Sequence, residues 1–394
     1  MKAYMIASSK TIDPFGDHPQ DCLIGNQKLG EIQESVLSNL GFELVTISGN
    51  TEVKDEDEHI IFTDRLFFTK ELLTDFIAQS RNKRQRTVCA LKSGIFTLRS
   101  VVATQDVKIS DEVVEYCLYY SPGKDLTGEA IPIVIDTDQL QQTIPIPKHM
   151  FGLAGYTIPL TEKIVVQIDN WTNLWATNII SILLELARLK KGSKLRLLGL
   201  VMRARSANQW KLLRYTNIIG HNCDIHPTAY IEGSTIGDNV AVGAGTVIKE
   251  CNIGRNVYIE NNATLDFSVI GEGCWIGDGS MLRYSVLNPG SFLLGVLSCS
   301  LLGRDTFVGG GVLIGDFRID RRSIFVLKDG LPVDTNNIFI GSCLGHGVYL
   351  AAGCTIAPGR TIPNGLRISP EESRIIRKFG PNGEVEGYRT IKLS

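Results

Sequence analysis

Two carboxylates in the first half of the chain, Asp64 and Asp169, are of the residue type that could hold a hard cation. Asp64 closes the apolar run His59 to Thr63, and Asp169 precedes a run of helical periodicity. Ligands of α/β sheets collect beyond the carboxyl ends of strands, and two carboxylates there can hold Mg²⁺ between phosphates. The competing structural reading is that Asp169 caps the following helix while Asp64 ends a strand. In the second half His346 follows Leu344 at a bend, facing outward toward a neighbouring subunit. As a general base it needs a substrate hydroxyl or amine on one nitrogen and a partner on the other. A solvated corner histidine is the alternative, and His221 and His226 read as structural. Arg318, Arg321 and Arg322 gather where the repeat is interrupted, and guanidinium groups suit phosphate oxygens. Arg360 falls where small residues are the rule, so it either turns outward to an anion or marks relaxation of the last coil.

These groups must be held by something periodic. Aliphatic residues fall on a hexapeptide beat at Ile219, Ile225, Ile231, then Ile236, Val242, Ile248, then Ile253, Ile259, Leu265, then Ile270, Ile276, Leu282. Ile219, Ile236, Ile253, Ile270 and Leu287 are thus equivalent on successive coils, the pattern of a parallel β-helix. Four places after each beat stand small or β-branched residues, among them Cys223, Ala229, Val240, Thr246, Val257, Ala263, Cys274, Ser280, Thr306, Val312, Val348 and Cys354. A three-sided coil has little internal volume, so these belong inside its corners. The beat returns at Leu302, Val308 and Ile314, pauses for an excursion, and resumes from Ile338 through Ile368.

The first half reads as strand (Met1 to Ser8), helix (Asn26 to Leu40), strand (Phe42 to Ile47), acidic loop, strand (His59 to Thr63) and helix (Thr69 to Ser80). That order implies an α/β layer with a mostly parallel sheet. A helix from about Trp175 to Lys190 and a basic stretch to Arg214 should join the halves and plug the open coil. The division expected is residues 1–174 as an α/β domain, 175–214 as connector and cap, 215–369 as β-helix and 370–394 as a C-terminal cap.

At 394 residues two domains are expected on length alone. A net charge of −2 with 21% charged residues offers no footprint for nucleic acid. No stretch is long and apolar enough for a membrane span, and Met1 to Ala7 shows no leader, so a cytoplasmic protein is expected. Nine cysteines without CxxC spacing argue against a disulfide framework and a zinc ribbon.

Ile6 to Phe15 with Pro19 and Gln20 resembles the opening of sugar-1-phosphate nucleotidyltransferases. Ser8 and Ser9 stand in place of the glycines that close a backbone around a triphosphate. Ile12 replaces the arginine and Gln20 the lysine. The Asp169 run resembles that family's aspartate segment, whose carboxylate shares magnesium with the earlier one. The second half resembles the left-handed hexapeptide acyltransferases, which are trimers with coenzyme A between neighbouring coils. Leu302 to Gly311, Asp316, Arg318, Asp320, Lys328 to Gly330 and Ile340 onward narrow this to bifunctional hexosamine-1-phosphate acetyltransferase and uridyltransferase enzymes.

The fold implied is an N-terminal nucleotidyltransferase-like, Rossmann-like domain followed by a left-handed parallel β-helix. The partners implied are a sugar phosphate or sugar nucleotide and two further copies of the chain, with acetyl-CoA or another acyl-CoA and Mg as cofactors. The family's catalytic histidine falls at Leu293 and its tyrosine at Val296, and neither can take a proton. Three functions follow: a transferase moving an acyl group from coenzyme A to a sugar phosphate, an inactive relative that binds sugar nucleotide and serves as trimeric scaffold or regulator, and an Mg-dependent nucleotidyltransferase.

Overall fold

The computed structural model describes residues 1–371 apart from 50–52, 54–56, 111, 124–128, 138, 192–198, 200, 204 and 207. Most of the expected C-terminal cap and part of the basic connector lie outside the described residues, while Gln209–Arg214 of the connector is a short helix.

The N-terminal sheet runs in the order Ile131–Ile135, Thr87–Lys92, Val113–Ser121, His59–Thr63, Lys2–Ile6, Glu43–Ile47, with Lys108–Ile109 paired to Val113–Ser121. Lys2–Ile6 is parallel to both neighbours, as the helix between successive strands requires. The sheet is nevertheless mixed rather than mostly parallel. Val113–Ser121 enters antiparallel to His59–Thr63 and to Thr87–Lys92 and splits the layer. Helices Leu29–Asn39 and Lys70–Lys83 bury Leu29 and Leu37, and Leu72, Leu73 and Phe76, as their apolar spacing dictates. Thr69 caps the second of these through its side chain to Leu72 N. The long helix Trp171–Lys191 starts at Asn170, whose Oδ1 accepts Thr172 N–H at 3.0 Å. Asn170, not Asp169, therefore caps this helix.

From Ile218 the chain winds as short parallel strands, three to a coil, each stacked on its equivalent one coil later. The beat residues Ile248, Leu265, Ile270, Ile276 and Leu282 are wholly buried along the axis, as are the corner residues Thr246 and Ala263. Burial on this scale stabilises by about 1.5–3 kcal/mol per aliphatic side chain. The first coil is looser, with Ile219 47% exposed, although the short helix Gln209–Arg214 packs beside it and places Arg214 over the Tyr230 ring. Asn222, Asn239, Asn256 and Asn262 turn the chain in the left-handed region (φ 55, 56, 57 and 56), a conformation asparagine tolerates.

A ladder of hydroxyls lines one corner. Ser234 Oγ accepts Cys251 N–H, 17 residues on, Ser268 Oγ accepts Ser285 N–H, and Ser285 Oγ accepts Ser300 N–H after only 15. The shortened coil is the one with a register shift between Leu293 and Gly295. Ser300 Oγ then takes Ser342 N–H across the excursion, at a separation of 42. Gly341 makes that closure possible, since a Cβ there would collide with Ser300 Oγ and the carbonyl oxygens of Ser298 and Cys299. The coil resumes at Cys343–Leu344, stacked on Leu301–Leu302, rather than at Ile338, which belongs to the return of the excursion. The excursion itself is an antiparallel hairpin, Phe325–Lys328 with Leu331–Asp334, turned by Asp329 and Gly330 at φ 50 and 77.

The two halves share a core. Val269, Val286, Leu301 and Cys343 point outward from one face of the coil and join the buried cluster of Trp171, Leu174, Phe96 and Tyr116. Trp175 Nε1 donates to Tyr284 O at 2.7 Å across the same seam. All nine cysteines are free thiols, and burial pushes the Cys22 and Cys274 thiols up to about 12.

Candidate functional site

The parallel pair Lys2–Ile6 and His59–Thr63 leaves the sheet at one end, which brings the segment after Ile6 against Asp64. Ser8 N–H donates to Asp64 Oδ2 at 2.5 Å. His18 Nε2 lies 3.0 Å from Ser8 O and 3.3 Å from Asp64 Oδ2. The Asp64 side chain is wholly buried, and its Oδ1 has no partner among the described residues.

Asp169 follows the short strand Val165–Gln167, which pairs antiparallel with Leu66–Phe68 just after Asp64, and is served by different groups. Its Oδ1 receives Arg65 Nη1, and its Oδ2 accepts Asp106 N–H at 2.6 Å. Asp106 is in turn a hub: Lys10 Nζ, Lys328 Nζ at 2.6 Å and Arg65 Nη1 at 3.2 Å all reach its carboxylate. Burial pushes the Asp106 carboxyl up, but the hydrogen bonds and charges of Lys10 and Lys328 override this and hold it at about 2. Three cations thus face two carboxylates, and Asp64 lies at the adjoining strand end. Lys328 comes from the hairpin of the β-helix, fixed there by Asn170 Nδ2 donating to Leu327 O at 2.9 Å.

This donor set does not fit the expected magnesium. Asp64 and Asp169 have separate partners, and a permanent guanidinium charge occupies the place on Asp169 that a cation would need. Among the described residues no group of three or more His, Cys, Asp or Glu side chains could hold a metal ion. The arrangement can instead receive an anion: Lys10 is 51% exposed and Asp106 31%, so an incoming phosphate could compete for the lysines.

His346 is not a free base on an outer corner. It is packed at the seam between the halves, with Nε2 3.0 Å from Asp17 Oδ2 and Nδ1 accepting Arg304 N–H at 2.8 Å. Those bonds engage both ring nitrogens and leave neither for a substrate. Arg304 grips the same Asp17 through two nitrogens at 2.7 and 2.8 Å, and Phe15 packs on the His346 ring at 4.9 Å. The Asp17 carboxyl, raised by burial, is brought down to about 2 by its hydrogen bonds to His346 and Arg304.

The arginines of the excursion are engaged within the protein. Arg318 forms a two-nitrogen pair with Asp320, Arg322 lies 3.8 Å from the same carboxylate, and Arg321 Nη2 donates to His149 O at 2.6 Å. Arg360 takes the corner after Ser342, whose Oγ accepts its N–H, and its side chain turns out to solvent. Leu293, aligned with a catalytic histidine, is a core residue stacked between Ile276 and Val308. Its outward neighbours are Phe292 and Leu294, so no base stands there either. Arg65, Asp106, Lys10 and Lys328 went unremarked as a group because they come from four distant segments. The one local signal was a cation directly after Asp64.

Residues 213–319, about a quarter of the chain, match the family model described as the GMPPB C-terminal domain. This stretch is a parallel β-helix similar to the hexapeptide domain of sugar-1-phosphate nucleotidyltransferases. With the α/β sheet before it, the chain has a nucleotidyltransferase-like domain followed by a left-handed β-helix. Solved structures similar to it include UDP-N-acetylglucosamine O-acyltransferase (LpxA) from Moraxella catarrhalis, at 19% identity over 39% of this chain and 61% of that one, TM-score 0.23. A hexapeptide transferase family protein from Anaplasma phagocytophilum is 17% identical over 43% of this chain and 88% of that one, TM-score 0.20. The chain spans less than two thirds of the Moraxella enzyme. No curated protein matches the sequence. No described helix is long and apolar enough to cross a membrane.

Proposed function

We propose that this protein of the sugar-nucleotide transferase group binds a sugar phosphate or sugar nucleotide at its N-terminal strand ends without magnesium, and that its β-helix is a homotrimeric scaffold or regulator in the cytoplasm. The observation that carries the reading is Arg65 on Asp169 with Lys328 of the β-helix on Asp106. The group that would bind a divalent ion is neutralised by the protein's own cation, while lysines remain where phosphate oxygens would arrive. Because Lys328 belongs to the second half, ligand binding at the first half is coupled to the scaffold.

The trimer face we assign is the ladder of outward aromatics Tyr258, Trp275, Phe292, Phe307 and Tyr349. Adjacent rings lie 4.7 to 6.4 Å apart, and Tyr258, Trp275 and Tyr349 are more than 40% exposed. An apolar stripe of this kind marks an interaction surface, and the resemblance to hexapeptide proteins names further copies of the chain as its occupant.

Acyl transfer from acetyl-CoA is the second reading and is less well supported. It needs a base beside the coil groove, whereas His346 is bonded on both nitrogens and His221 and His226 lie on the first coil. Calorimetry separates the readings. UDP- and GDP-sugars should bind equally with and without Mg²⁺, while nucleoside triphosphate with Mg²⁺ and acetyl-CoA should give no saturable heat. Strict Mg²⁺ dependence would restore the nucleotidyltransferase reading, and micromolar acetyl-CoA binding the acyltransferase one. Light scattering should give three chains, and Trp275→Glu should give monomers.

A further inference from the structure

A second site lies at the seam between the halves, away from the strand ends. It is a cavity of about 300 Å³ bounded by the N-terminal hairpin Gln141–Pro145 with Gly155–Pro159, the helix Trp171–Lys191 and the coil beside the excursion. Its volume is at the small end for small-molecule sites. Ile144, Ile158, Trp175, Ile179, Leu183 and Phe339 make it predominantly apolar.

Three charged residues line it: Arg99, Arg283 and Asp316. Arg99 is half-buried, held by Nε to Thr157 O at 2.9 Å and Nη1 to Asn337 Oδ1 at 2.8 Å, with its guanidinium 3.8 Å above the Tyr156 ring. All of these partners are neutral. No carboxylate pairs with Arg99 among the described residues, and its Nη2 has no partner there. Burial accordingly pulls its pKa below the ordinary arginine value. A guanidinium withdrawn from water into apolar walls is costly unless an anion answers it. Arg283 stacks beside Asp266 of the preceding coil, which answers its charge, so Arg99 is the cation of the lining with no carboxylate bonded to it.

From the half-buried, anchored guanidinium of Arg99 facing an apolar cavity, we propose that this seam binds a small monoanion with an apolar body, an aryl or branched-alkyl carboxylate. The carboxylate pairs with Arg99, and the body fills the space between Trp175, Ile179 and Phe339. The walls come from both halves, so the ligand binds their docked arrangement and stabilises it.

The test uses 3-phenylpropionate and its neutral isostere 3-phenylpropionamide on the full chain, by calorimetry and thermal shift. The acid should bind saturably, raise the melting temperature and exceed the amide in affinity by tenfold or more. Arg99→Met should abolish that preference. Ala176→Leu, which narrows the cavity without touching charge, should weaken acid and amide together. Equal affinity for acid and amide would overturn the assignment, and so would absence of saturable binding by either. The comparison of the two probes on the unmutated chain holds even if Arg99→Met fails to fold.

Discussion

Replacing Arg65 by Gln tests whether a guanidinium stands in for a metal at the strand ends. The Asp169 side chain is 1% exposed and has two partners, Arg65 and the Asp106 N–H. The change leaves a buried carboxylate with one neutral donor, and breaking such a pair from one side costs about 3–5 kcal/mol. Asp106 adds little to this figure, because it is partly exposed and keeps Lys10 and Lys328. The deficit should depend on pH in a definite direction. An unpaired buried carboxyl titrates above its unfolded value, so the variant's loss is small below about pH 4. It grows as pH rises and is complete near pH 8. Urea unfolding of the single variants and of Arg65→Gln/Asp169→Asn gives the cycle, and the double variant should recover most of the stability. A loss under about 1 kcal/mol at pH 8, or a double variant no better than Arg65→Gln, refutes the reasoning.

Glu250 is buried beside Glu232 and Asp266, and burial together with those charges raises its carboxyl to about 7. A raised carboxyl costs stability as pH climbs from its unfolded value through 7, so Glu250→Gln should gain about 2 kcal/mol at pH 8 and nothing below pH 4 in urea titrations. Asp17→Asn removes the acceptor shared by Arg304 and His346. It should speed hydrogen exchange along the seam and lower stability by about 2–4 kcal/mol at neutral pH. The lowered pKa places that contribution above about pH 4, lost as pH falls toward 2. Leu265→Ala, at the wholly buried axis of the coil, should cost about 2–5 kcal/mol without changing ligand affinity at the strand ends, as read by denaturation and calorimetry.

The coil was legible because its rule is local. A fixed beat of aliphatics with small corner residues determines which side chains face inward, and Val240 to Cys354 followed it. Spacing changes in the coil through Leu293, which is two residues short, and Leu293, at the position that the resemblance gives to a catalytic histidine, is a core residue. Ile338 kept the rhythm by chance within the excursion. Three strands of the first half were readable, Met1 to Ser8, Phe42 to Ile47 and His59 to Thr63, but Thr87–Lys92, Val113–Ser121 and Ile131–Ile135 were not, and the alternating burial of Val113–Ser121 suits either sheet direction. Asp64 was found from its place at a strand end, and Asp169 from the resemblance of its run to the nucleotidyltransferase aspartate segment. Their partners were not, because Lys328 lies 222 residues from Asp106, and Arg304 lies 287 from Asp17. Ionic partners at such separations leave no periodic trace in sequence.

The seam where Val286, Leu301 and Cys343 join the core of Trp171 also bears on how the molecule comes apart. A stalk expressed alone would display a greasy stripe running down one side of the prism, and a head expressed alone would lose the wall behind its long helix. Dissection into separate fragments should therefore yield insoluble pieces, and heating the whole chain should yield a single melting transition.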